Sequence, residues 1–207
     1  MKLRRIAERF AAPIIILLLV FQAVAHAASD NSVPAGKWAK LTLDPVQTTI
    51  AFTLIGWPHI TNGAFKLKRG MIRVDPASGK MDGQIVVDAA SGNSGHSIRD
   101  SRMKNSILEV DRFPDIIFTP RQVVSHGAPP GEFPAVVRGV MTLHGDPHPF
   151  TITASVRRGG DLVTVHCEFK IPFVAWGLED PSIMFFKVQK EVDVQVTAVG
   201  SLTWVAP

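Results

Sequence analysis

Few residues in this 207-residue chain stand together in combinations that do chemistry. His166 precedes Cys167, an imidazole beside a thiol. In the alternating run Leu162-Val-Thr-Val-His-Cys-Glu-Phe, however, the two point to opposite faces of a strand, and the base does not reach the sulfur. Cys167 there reads as a small buried hydrophobe rather than a nucleophile. His144-Gly-Asp-Pro-His148 places two imidazoles and a carboxylate within five residues, which is metal-ligand chemistry. Pro147 and Pro149 point instead to a tight solvent-facing turn, and no metal is expected. Glu168, Glu179 and Asp180 form no recognisable carboxylate pair, and no Gly-x-Ser-x-Gly elbow occurs. No catalytic residue and no cofactor are therefore expected. One group with binding chemistry remains: His96, Arg99 and Asp100, at the start of a helix, where a guanidinium and a helix N-terminus both suit an oxygen-rich group. The competing reading has Asp100 capping the helix and Arg99 pairing with a nearby carboxylate.

The elements that carry these residues are strands separated by turn chemistry. Residues 39–43 and 48–55 are short extended runs, the second with Ile50, Phe52 and Leu54 alternating against Thr49, Ala51 and Thr53. Residues 65–75 and 81–89 flank Pro76-Ala-Ser-Gly79 as a hairpin, and Ile85 and Val87 alternate with Gln84 and Val86. Residues 116–124 and 135–144 flank a loop rich in proline and glycine. Residues 150–157 and 162–171 flank Arg158-Gly-Gly-Asp161, and residues 190–205 supply a last long strand after an irregular stretch over 172–184. The spacing predicts one amphipathic helix of about three turns, with Ser97 as its cap, Asp100 in its first turn and Met103, Ile107 and Val110 on one face. Pro114 ends it. Eight or nine antiparallel strands with one short helix between hairpins make an all-β protein, and closure into a barrel removes the edges an open sheet would expose. The inward sets hold Ile, Phe, Leu, Val and Met with few charges, so any cavity is dry and elongated.

The N-terminus reads as an export signal. Lys2, Arg4, Arg5 and Arg9 precede the apolar run from Ala11 to Ala25, and Ala25-His26-Ala27 is a small-x-small site with cleavage after Ala27. An uncleaved span would need about 20 apolar residues, and this run contains Pro13 and Gln22. Loss of residues 1–27 removes four basic side chains and Glu8, which takes the net charge from +4 to +1. The basic character is thus an export feature. With neither a basic cluster nor interleaved exposed aromatics, the chain is not expected to bind nucleic acid. Residues 28–207 read as one domain in a periplasmic protein whose single cysteine allows no internal disulfide.

Several segments, in order and at matching spacing, resemble the YceI family of exported lipocalin-like barrels. They are Asp44 to Phe65 with His59 and Gly63-Ala-Phe65, then Arg99-Asp100, then Glu109-Val-Asp-Arg-Phe-Pro-Asp-Ile-Ile-Phe118. Gly139-Val-Met-Thr-Leu-His-Gly145 and Trp176-Gly177 complete the likeness, which covers nearly all of residues 28–207. Two positions depart from the family pattern: Arg102 stands where many members have His, and Pro172-Phe-Val-Ala175 replaces a usual Asp-Arg. Both weaken the polar end of the site and leave the apolar frame intact. The resemblance implies an eight-stranded barrel that binds a polyisoprenoid or an isoprenoid quinone without catalysis. On that reading the tail lies among Ile50, Phe52, Phe65, Ile85, Val87, Met103 and Phe118, and His96, Arg99 and Asp100 form a polar mouth. An enzyme acting on a lipid or sugar and a ligand-free, stress-related barrel are the competing classes. Transient membrane contact and homodimerisation stay open at this stage.

Overall fold

The alternation of apolar and polar residues along the chain becomes nine strands of one closed antiparallel sheet. A computed structural model describes residues 36–125, 131–185 and 187–207, so the expected export segment lies outside the described residues, as do residues 126–130 of the proline-rich loop. The first strands are β1 (Trp38–Leu43) and β2 (Thr49–Leu54), followed by a two-residue β3 (Gly56–Trp57). Then come β4 (Thr61–Val74) and β5 (Met81–Asn93), which lead into α1 (Ser97–Arg102) and a π-helical turn, Met103–Ile107. The chain continues through β6 (Asp115–Ser125), β7 (Gly131–Leu143), β8 (Asp146–Gly159) and β9 (Leu162–Ile171). A two-residue β10 (Lys187–Val188) and the long β11 (Val192–Val205) complete it.

The strand order is β1-β11-β2-β4-β5-β6-β7-β8-β9, and pairing of β9 with β11 closes the ring. Both β1 and β2 pair with β4 on one side and with β11 on the other: Leu41 lies opposite Ile72 and Leu202, and Phe52 opposite Gly63 and Val194. They are two halves of one stave, interrupted at Asp44, whose carboxylate accepts the Val46 N–H at 2.8 Å. Nine strands therefore make eight staves. β3 and β10 form a separate small ribbon outside the barrel wall.

One end of the barrel carries the β2–β4 connection, the helical turns, the His144-Gly145 turn and the chain from Pro172 to Glu191; it is called the helix end below. The other, the turn end, carries the β4–β5 and β8–β9 connections, the end of β6 and the start of β7. Apolar packing runs from one end to the other. Leu108, Met141, Phe173 and Leu178 gather toward the helix end, and Leu41, Leu67, Val163 and Ala198 along the rest. Val86, on the opposite face of β5 from the partly buried Ile85 and Val87, is fully buried, so the outer face of β5 is covered there as well.

The helix differs from its sequence signature. Its N-cap is His96, with no side-chain cap, and Ser97 is already helical. The Asp100 carboxylate accepts the Ser94 N–H at 2.8 Å and its hydroxyl as well, so the acid ties the chain ahead of the helix rather than capping a free helical N–H. After six residues the helix widens into a π turn, and no residue of either segment is fully buried.

Candidate functional site

Alternation along eight staves leaves a continuous apolar cavity of about 960 Å³ inside the barrel. Ile50, Phe52, Phe65, Ile85, Val87, Met103 and Phe118 all line it. Phe52 and Phe65 meet with ring centroids 5.3 Å apart. Three glycines, Gly63, Gly92 and Gly139, make room for the aromatic lining. A Cβ at Gly63 would collide with the Phe52 ring, and one at Gly139 would come within 2.9 Å of the Phe118 ring and 2.5 Å of the Thr119 carbonyl. Sequence reasoning missed Val137, Phe169, Phe173, Leu178 and Trp204, which also line the cavity. The strand members of that set carry the same alternation as the seven. Phe173 and Leu178 lie in the irregular stretch, which has no period to read.

At the helix end Leu108, Phe173 and Leu178 floor the cavity. Its polar side chains lie at the turn end, where Asp75, Ser78, Gln122 and Arg158 join the lining. Asp75 holds its carboxyl below the usual carboxylate range through hydrogen bonds from the Ser78 hydroxyl and the Ala77 N–H. The Gln122 side chain donates to the Ser78 carbonyl at 2.8 Å, which fastens the β4–β5 turn to β6. Arg158 donates to the Gly160 carbonyl at 3.0 Å.

His96, Arg99 and Asp100, read from the sequence as a polar mouth, are not part of this lining. Arg99 donates to the Ser94 hydroxyl at 2.7 Å and to its carbonyl at 2.9 Å, and His96 is exposed. The residues pin the connection between β5 and α1. The expected pairing of Arg99 with a carboxylate is replaced by these bonds to Ser94.

Cys167 lines the cavity while His166 faces outward to the Thr197 hydroxyl at 3.0 Å, on opposite faces of β9. Burial pushes the Cys167 thiol up to about 11, with a smaller push from Glu168, so it stays protonated at neutral pH. The two imidazoles of the His144 turn diverge. His144 Nε2 lies 2.9 Å from Glu109 Oε1, whereas His148 stacks on Trp176 with centroids 4.2 Å apart. Among the described residues no three His, Cys, Asp or Glu side chains form a group able to hold a metal. The site is a container lined by carbon, with one protonated thiol and a few polar groups at one end.

Residues 41–199 match the YceI-like domain. The chain belongs to the YceI family. Among solved structures it is similar to BcnA of Burkholderia cenocepacia, with 18% identity, a TM-score of 0.63, and coverage of 76% of this chain and 98% of that one. It is also similar to a polyisoprenoid binding domain from Saccharophagus degradans implicated in plant cell wall breakdown. There the identity is 17%, the TM-score 0.59, and the coverage 81% of this chain and 98% of that one. Both share the fold. No curated protein matches the chain.

The YceI signature positions have structural roles here. Gly63 and Gly139 clear space for lining rings, and Trp176 covers His148 and meets Phe150 edge-on at 5.8 Å. The two departures from the pattern are also placed. Arg102 bridges from the helix to Glu179 at 3.2 Å, and the segment from Pro172 turns Phe173 into the cavity floor.

Proposed function

We propose that this protein binds and carries an amphipathic isoprenoid lipid, a polyisoprenoid or an isoprenoid quinone, with the tail in the barrel and the head at the turn end. The observation that carries the reading is the unbroken apolar cavity. Its volume of about 960 Å³ stands at the upper end of small-molecule sites, roughly 300 to 1,000 Å³. Its lining is aliphatic and aromatic, which suits a branched hydrocarbon. The relative from Saccharophagus degradans, described as a polyisoprenoid binding domain, supports the ligand class.

The energetics suit a tail-dominated ligand. Burying a CH₂ contributes about 0.8 kcal/mol, so one five-carbon isoprene unit contributes roughly 3 to 4 kcal/mol. Two or three units supply roughly 6 to 12 kcal/mol, which exceeds all but the upper part of an association cost on the order of 4 to 15 kcal/mol. Chain length then sets affinity, and Asp75, Ser78, Gln122 and Arg158 need only hold the oxygen-bearing head. The signal-like N-terminus supports export and action in the periplasm; N-terminal sequencing of the processed protein should begin at Ala28.

The test is extraction of the purified native protein with organic solvent and mass spectrometry of the extract. One isoprenoid per barrel is expected, and Phe52→Asp and Phe118→Asp should each lose it by placing an unpaired carboxylate in the cavity. A folded variant that keeps the lipid refutes the tail position. An empty protein that also fails to take up added isoprenoids refutes the function.

A further inference from the structure

The helix end of the barrel carries a cluster of exposed apolar side chains that the cavity does not use. Trp57 is 69% exposed and Ile60 62%, both on the β2–β4 connection. Met184 is 78% and Phe185 79% exposed, with Ile183 at 47%, on the chain leading to β10. The two loops are one unit. Trp57 pairs with Lys187 across the β3–β10 ribbon, and the Gln189 N–H donates to the Ile55 carbonyl at 2.8 Å. Water-facing aromatic and aliphatic tips gathered at one end of a barrel mark a contact surface.

We infer that this end docks onto the surface of an anionic phospholipid membrane. Three observations select that partner. The exposed set combines Trp, Phe, Met and Ile, large side chains that insert at the headgroup–acyl boundary, where Trp is enriched. The charge at its edge is basic by one group: Arg102 engages Glu179 at 3.2 Å, Lys190 lies 3.7 Å from Asp180, and Lys187 adds a second positive charge facing Asp180. A lysine beside an apolar tip adds attraction to anionic headgroups. The same chain segment also connects surface and cavity. Phe173 and Leu178 floor the cavity from within, and Ile183, Met184 and Phe185 leave it outward a few residues later. Docking at this end sets the floor of the container directly against the bilayer.

The experiment is vesicle flotation of the exported, processed protein with phosphatidylethanolamine mixed with phosphatidylglycerol, compared with pure phosphatidylcholine. The protein should float with the anionic vesicles, and the double variant Met184→Asp, Phe185→Asp should lose about tenfold or more of that binding. Trp57→Asp should act in the same direction. Lys187→Gln should weaken binding about fivefold at low salt, and the difference should vanish at high salt. These side chains are exposed, so the variants should unfold at the wild-type temperature and keep the same lipid content on extraction, which separates this inference from the proposed cargo. Flotation unchanged by the substitutions overturns it. So does sedimentation showing a wild-type dimer that the substitutions split while no form floats, which would assign the surface to a second copy of the chain.

Discussion

At the scale of single residues, Cys167 is the sensitive reporter of the cavity. Its thiol is raised to about 11 by burial from an ordinary 9.0. The folded state therefore holds this proton more tightly than the unfolded chain does. The resulting stability is complete below about pH 9 and is lost as the pH climbs through about 11, on the order of 2 to 3 kcal/mol in all. Urea unfolding measured across that window should fall more steeply for the wild type than for Cys167→Ala, which has no thiol to ionise. The chain has no tyrosine to titrate over the same range, so the comparison is clean of phenols. A thiol reagent near pH 8 should modify the folded protein about a hundredfold more slowly than the unfolded chain, from the thiolate fraction alone. Equal slopes for wild type and variant would place the sulfur in contact with water.

Among the elements, the lining strands were legible because a two-residue period reports which face is buried, and all seven side chains expected on the inner face of the barrel or its helix line the cavity. Gly139 shows what that period cannot convey. It occupies an inward position on β7 where a Cβ would meet the Phe118 ring at 2.9 Å and the Thr119 carbonyl at 2.5 Å. Gly139→Ala should cost roughly 1 to 3 kcal/mol by overpacking and displace the Phe118 ring. Thermal unfolding and lipid content together check it, and an unchanged melting temperature with full lipid content would show that the strands have slack. The helix cap was misread for a related reason. Ser97 to Asp100 fits a capping pattern, but the competing partner, Ser94, lies six residues before Asp100, beyond the span such a pattern inspects. The polar side chains that line the turn end, Asp75, Ser78, Gln122 and Arg158, were not read from the sequence because alternation assigns faces and says nothing about the ends of a barrel. Phe173 and Leu178 were missed because the segment that holds them has no period.

For the whole molecule, a cavity of about 960 Å³ has a consequence for stability. Carbon-lined space without a partner forfeits dispersion contacts on every wall, and water gains little there because few polar groups face it. Occupied and emptied barrels should therefore differ in stability by an amount that grows with the logarithm of ligand concentration over Kd. A ligand at a hundred times its Kd stabilises by about 2.7 kcal/mol. For a domain of this size 1 kcal/mol moves Tm by about 2 to 4 °C, so the shift on refilling should be roughly 5 to 10 °C. The measurement is calorimetry of protein stripped of lipid under mild denaturant, refolded, and scanned with isoprenoids of increasing tail length. Tm should climb with each added unit until the tail fills the space between the floor at Phe173 and the rim at Arg158, and then level off. Phe52→Asp should show no climb at all, whereas Met184→Asp, whose side chain lies outside the cavity, should follow the wild-type curve. A Tm that ignores tail length would mean the walls close on themselves when empty, and the cavity would then be a feature of the filled state alone.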